Sequence, residues 1–156
     1  MQLKFTDKAN LKHLNVRKTG DDNAKELAID IKISGKAFAG EWIDKVLGTE
    51  PGTAEAHFWT HAQASDEFNQ RFTGIDIIKS WAFFHNCKLH FGGLELIGEA
   101  KKFEFKPKGE HRADVTFTLA VTDPGERDVN ILAEMVQEDA VCSLEFPSDL
   151  FSEEAA

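Results

Sequence analysis

Cations carry the clearest chemical potential in this chain, because they gather in two short clusters although the 156 residues have a formal charge of −9. Residues 1–20 hold Lys4, Lys8, Lys12, Arg17 and Lys18 against Asp7, and residues 101–112 hold Lys101, Lys102, Lys106, Lys108 and Arg112 against Glu104 and Glu110. Clustered Lys and Arg suit phosphate binding, since affinity for a nucleic-acid backbone comes largely from releasing its condensed counterions. A whole surface this acidic does not bind DNA that way, so such a role falls on local patches. The candidate residues are Lys101, Lys102, Lys106, Lys108 and Arg112, joined by Lys12, Arg17 and Lys18. Phe103 and Phe105 interleave with the lysines, an arrangement by which sheets can stack single-stranded bases. The same alternation places both rings on one face, and if that face is the core, Lys102, Glu104 and Lys106 only decorate solvent.

Other chemistries find less support. His57 and His61 are four apart and would share a helix face, where a metal site could begin, but Phe58 stands where an HExxH motif needs Glu. His13, His85, His90 and His111 are scattered, so no metal set is expected. Cys87 beside Lys88 could be a reactive thiol; a cysteine in a strand is more often a small buried hydrophobe. Gly74 and Gly92-Gly93 read as turn glycines, and no phosphate-cradling loop accompanies them. Without a nucleophile, metal or cofactor signature the expectation is a non-enzyme that uses no cofactor.

The elements that must position the cations are strands. Lys101 to Thr122 has the strongest period-2 pattern, with Val115, Phe117, Leu119 and Val121 against Thr116, Thr118 and Thr122, and it predicts a β-hairpin whose loop is Lys106 to Asp114. Leu27, Ile29, Ile31 and Ile33 alternate with Ala28, Asp30, Lys32 and Ser34, predicting a strand with one wet face. Leu3 and Phe5 mark a strand that Leu11, Leu14 and Val16 extend or follow, and Gly20 to Asn23 read as the joining loop. Phe38, Trp42, Ile43, Val46 and Leu47 recur at helical spacing up to Gly48. Residues 54–70 fit no single period and read as loop or irregular helix. Two strands are expected within 72–91 with a break near His85-Asn86, and Leu94 to Ile97 leads into the hairpin. Asp128 begins a helix carrying Val129, Leu132, Ala133 and Val136, and Val141 to Phe146 is the last strand. The sum is a mainly β fold, an antiparallel β-sandwich or barrel of about seven to eight strands with two short helices.

Composition agrees with one domain, residues 1–146, followed by an acidic flexible tail, residues 147–156. An apolar content of 42% suffices for a core without staples. Thirteen Phe, three Trp and no Tyr favour a dry core over a wet recognition surface. Two cysteines, no signal-like start and no apolar run of membrane-spanning length lead to the expectation of a soluble protein in a reducing cytoplasm, with no membrane partner.

The tail, Glu145-Phe146-Pro147-Ser148-Asp149-Leu150-Phe151-Ser152-Glu153-Glu154, is acidic with only Leu150 and Phe151 as large apolar residues after Pro147, too few to offset the entropy of ordering it. It resembles the acidic docking tails of single-stranded-DNA-binding proteins, although those end in Phe and this one ends in Ala155-Ala156. Asp149, Leu150 and Phe151 resemble the last three positions of the bacterial sliding-clamp docking pentapeptide, with Pro147 where that motif has Gln. The phrase Ala9-Asn10-Leu11-Lys12-His13-Leu14-Asn15-Val16-Arg17-Lys18, with Leu27-Ala28-Ile29-Asp30, Lys101-Lys102-Phe103 and Leu132-Ala133-Glu134, resembles small proteins of tailed-phage and prophage genomes over most of the chain outside about 37–75. That resemblance implies a phage-encoded accessory protein in the bacterial host cytoplasm, and brings no settled activity with it.

Three roles fit these features. The first is a non-catalytic binding protein of phage DNA metabolism that engages single-stranded nucleic acid and docks a host or phage replication, recombination or defence protein through Asp149, Leu150 and Phe151. The second is an acidic inhibitor of a host nucleic-acid-binding complex, and the third a virion or assembly component. Homo-oligomerisation is compatible with each.

Overall fold

Alternating apolar residues give seven strands in the computed structural model, which describes residues 1–19, 26–53, 77–108 and 111–147. They are β1 (Gln2–Thr19), β2 (Glu26–Phe38), β3 (Ile78–Lys79), β4 (Phe84–Phe91), β5 (Leu94–Lys108), β6 (Arg112–Thr122) and β7 (Asp139–Glu145). Two helices stand among the described residues, α1 (Glu41–Leu47) and α2 (Glu126–Met135). All strand pairs are antiparallel. The order is β3-β5-β4-β7-β1-β2-β6, and β6 pairs back onto β5.

The fold is therefore a barrel. Closure is possible because β5 is long: residues 94–100 pair with β4, while residues 99–108 pair with β6 on the opposite edge. Beyond β4, β3 continues along the same edge, with Ile78 against Phe105 and Lys79 against Glu104. Where β5 turns from one neighbour to the other it approaches β6 closely. A Cβ at Gly98 would run into the Ala120 carbonyl oxygen, so only glycine fits there.

Inward alternation fills the barrel with Leu3, Phe5, Ile29, Ile31, Ile33, Leu89, Phe91, Phe103, Phe105, Phe117, Leu119 and Leu144, all fully or nearly fully buried. Phe5, Phe117, Phe103 and Phe146 follow one another as stacked rings with centroids 5.5–6.3 Å apart, and Phe84 meets Phe146 edge-on at 5.3 Å. Rings at these separations add to the energy of burial itself. Helix α1, following β2, buries Trp42, Ile43 and Val46, with Trp42 edge-on to Phe105 at 5.9 Å. Helix α2 joins β6 to β7 at the other end and buries Leu132, and its first turn carries Glu126 and Asp128, as a helix N-terminus favours.

Leu11, Leu14 and Val16 extend the first strand, one of the two readings their spacing left open, and β-bulges keep it in register. Other expectations are corrected. Phe38 ends β2 and is 53% exposed, so the helical face starts later, at Trp42. The break within 72–91 falls at residues 80–83, and Asn86 lies inside β4 at a register shift, with a φ of 58°. The hairpin strands run further than expected, to Lys108 and from Arg112, because Pro107 and Asp114 stay in the ladder. Helix α2 leaves Ala133 exposed. The expected turn at 20–23, residues 54–70 with His57 and His61, residues 72–76, Gly109 and the tail residues 148–156 lie outside the described residues. No helix among the described residues is long and apolar enough to cross a membrane.

Candidate nucleic-acid interface

Four strands, β1, β2, β6 and β5, lie side by side and turn alternate residues outward. Their register aligns His13, Lys32, Thr118 and Lys101 in one row across the sheet. A second row runs Ser34, Thr116, Glu104, with the Thr116 hydroxyl donating to Ser34 Oγ at 3.1 Å. A third runs Asn15, Asp30, Ala120, Glu99, where the small Ala120 adds little height. From these rows His13, Asn15, Asp30, Lys32, Lys101, Glu104, Thr116 and Thr118 join Lys102 in lining a groove of about 300 Å³.

Lys102 enters this groove through a β-bulge. Between Lys101 opposite Thr118 and Glu104 opposite Thr116, β5 carries one residue more than β6. Ala100 and Phe103 both stay buried, so the extra residue leaves two consecutive lysines on the outer face. Lys102 takes a φ of 55°, a left-handed conformation that glycine adopts freely and that costs a residue with a Cβ about 1–2 kcal/mol. A strained lysine is kept where a glycine would relax the backbone.

Each carboxylate of the face has a basic side chain beside it. Arg17 Nε donates to Asp30 Oδ2 at 2.9 Å and Nη2 to Oδ1 at 3.5 Å. Lys79 lies 3.9 Å from Glu104, and His85 Nδ1 is 3.1 Å from Glu99. Lys32, Lys101 and Lys102 have no ion-pair partner among the described residues. The face thus carries lysine charge beyond what its acids neutralise.

The sequence-predicted cations separate accordingly. Lys101 and Lys102 sit in the groove, and Arg17 borders it through Asp30. Lys106 and Lys108 continue along the outer face of β5, where Lys108 is 3.7 Å from Asp114. Arg112 lies over the Phe38 ring at 5.1 Å, opposite it in the ladder. Lys12 falls in a bulge of β1, where its carbonyl accepts from Gln137 Nε2 at 2.8 Å, and Lys18 alternates away from Arg17. Lys32 and His13, which strand pairing brings to Lys101, were not among the candidates. The alternation of β2 had put Lys32 on a wet face, and only the strand order reveals its neighbours. Asp149, Leu150 and Phe151 lie outside the described residues.

Phe103 and Phe105 are 1% exposed, so neither can stack on a base. Cys87 and Cys142 are buried, and burial pushes their thiols up to about 11 and about 12, which keeps them protonated at neutral pH. No family model, curated protein or solved structure matches this chain.

Proposed function

We propose that this protein binds single-stranded nucleic acid along the outer face of β1, β2, β6 and β5, in the manner of an accessory protein of phage DNA metabolism. The observation that carries the reading is the bulge at Lys102. It spends backbone strain to place a second lysine beside Lys101 and Lys32, on a face whose acids already have partners. Strain retained at an exposed, unpaired cation is intelligible when the cation meets a ligand. The hydroxyls of Thr116 and Thr118 and the amide of Asn15 around the lysines offer neutral hydrogen bonds to phosphate and sugar oxygens. The acids of the described chain favour the same reading over a groove-filling inhibitor. None of Asp123, Glu126, Asp128, Glu134, Glu138 and Asp139, which lie on and beside α2, lines the lysine groove, as a binder that keeps its acids out of its site requires. A partner-docking role for Asp149, Leu150 and Phe151 enters this proposal from their sequence alone.

Fluorescence anisotropy of labelled oligothymidylate against added salt tests it. Three lysines meeting phosphates of a single strand predict a slope of log K against log salt of about −2. Replacing Lys101 and Lys102 by alanine should weaken binding about tenfold or more and flatten that slope by about 1.4. Absence of binding at low salt, with and without residues 148–156, would sink the proposal.

A further inference from the structure

The segment between β3 and β4 exposes large aromatics on a fixed frame. Trp81 is 85% exposed and Phe83 58%, and with Phe38, which has Arg112 over its ring, they are the exposed large aromatics among the described residues. Exposed aromatics on a loose loop would carry little meaning, but this segment is anchored at both ends. Lys79 pairs with Glu104, the Ser80 N–H donates to the Phe103 carbonyl at 2.9 Å, and Phe84 pairs with Ala100. Ser80 itself is buried: its hydroxyl donates to the Val46 carbonyl of α1 at 2.7 Å and accepts from the Ala82 N–H at 3.2 Å. Phe83 is further held edge-on against His85, with centroids 5.5 Å apart, and His85 is in turn bound to Glu99.

These anchors also say what lies alongside. With Lys79 opposite Glu104 and Phe84 opposite Ala100, residues 81–83 run past the Lys101–Lys102 bulge on the neighbouring edge of β5. The aromatic pair and the lysine pair are therefore adjacent. A ligand suited to both must present phosphate to the lysines and an apolar π-face to the rings. Duplex DNA offers only the first, because its bases are stacked inside. An unpaired strand offers both at once.

We infer that Trp81 and Phe83 form the base-stacking edge of the lysine groove, so that the site selects unpaired strands over duplex. This rests on the nucleic-acid reading above and adds the element that would give it selectivity. Phe103 and Phe105, the rings that interleave with the lysines in sequence, serve the core; those on the adjacent edge serve the ligand. Stacking on aromatic side chains accepts any base, so the preference is for strandedness, with little for sequence.

The test compares labelled oligothymidylate with a duplex of equal length, at one salt concentration, for the wild type, Trp81→Ala/Phe83→Ala and Trp81→Phe. The wild type should prefer the single strand by about tenfold or more, given the usual worth of base–aromatic stacking. The alanine pair should lose about tenfold in single-strand affinity with duplex affinity and the salt slope unchanged, and Trp81→Phe should keep most of the wild-type preference. Circular dichroism and melting of each variant establish that it is folded, as expected for exposed positions. Unchanged single-strand preference in a folded alanine pair overturns this inference and leaves the lysine groove standing. Equal losses for single strand and duplex also overturn it. A wild type that binds neither probe overturns both readings.

Discussion

The barrel has two outward walls built to different rules. On the wall of β4, β7 and the first half of β5, acidic and basic side chains pair across neighbouring strands: Lys88 lies 3.2 Å from Glu95, and His90 Nε2 is 3.2 Å from Glu145. On the wall of β1, β2, β6 and the second half of β5, the acids are paired, and Lys32, Lys101 and Lys102 have no ion-pair partner among the described residues. Both walls stand on the same buried core, so the difference is not required by folding. A wall that needs only to be soluble can neutralise itself in place. One that holds surplus cations, with aromatics at its edge, is set up for something it does not itself contain.

Breaking the lysine wall should produce the largest change. Lys32, Lys101 and Lys102 replaced together by alanine should raise the Kd for oligothymidylate by more than about a hundredfold, equivalent to about 2.7 kcal/mol, with the melting temperature nearly unchanged. The matching disruption of the other wall, Lys88→Ala, removes an exposed pair and should shift stability by less than about 1 kcal/mol while leaving binding intact. If both variants weaken binding equally, the two walls do not differ in the way argued.

Next in size is Gly98→Ala, which drives a methyl group into the Ala120 carbonyl where β5 passes between its neighbours. It should cost about 1–3 kcal/mol in urea unfolding, the usual penalty of overpacking. Lys102→Gly sharpens the comparison from within. Relief of the left-handed strain, less the entropy gained by the unfolded chain, should leave the variant about 0.5–1 kcal/mol more stable, yet a weaker binder. A gain of stability with a loss of affinity at one position is the signature of a residue kept for its ligand. Loss of both would assign Lys102 a structural role.

The smallest effect concerns pH. Hydrogen bonds from His90 and Gln2 hold the Glu145 carboxyl below the usual carboxylate range. A carboxylate lowered in the folded state stabilises it above the unfolded pKa, and that contribution disappears as pH falls through the folded value. Gln2→Ala should therefore differ from the wild type at neutral pH and converge with it in acid, as followed by thermal melts. A difference independent of pH would remove Glu145 from the explanation.

Much of the scaffold was legible and much of the site was not. Residues 115–121 and 27–33 announce strands because their neighbours along the chain suffice to create alternation, and both are strands as read. The antiparallel class follows from the spacing of such runs. The barrel, as against a sandwich, depends on β5 having a partner on each edge, which no local pattern encodes. The bulge is equally silent: a glycine at position 102 would have signalled a left-handed residue, and a lysine does not. Arg17 could be seen as a cation but not as the partner of Asp30, which only the register of β1 and β2 supplies. Trp81 and Phe83 fall within 72–91, where the sequence predicts two strands, and large rings in such a run usually signal burial. Here the core takes the interleaved Phe103 and Phe105 and leaves the other two outside.

The placement of β7 has a consequence for how the chain comes together. The last strand slots between β1 and β4, so Gln2 finds its partner only in Glu145, near the far end of the described chain. Local hairpins such as β1–β2 and β4–β5–β6 can form early, but neither β1 nor β4 has its second neighbour until β7 has crossed over on α2. Such long-range pairing is intrinsically slow, and unpaired strand edges in the interval invite association with other chains. At ordinary rates of synthesis the first strand waits on the order of ten seconds for its partner. During that interval the nascent protein depends on the ribosome, on chaperones or on its own charge to keep those edges apart from their neighbours.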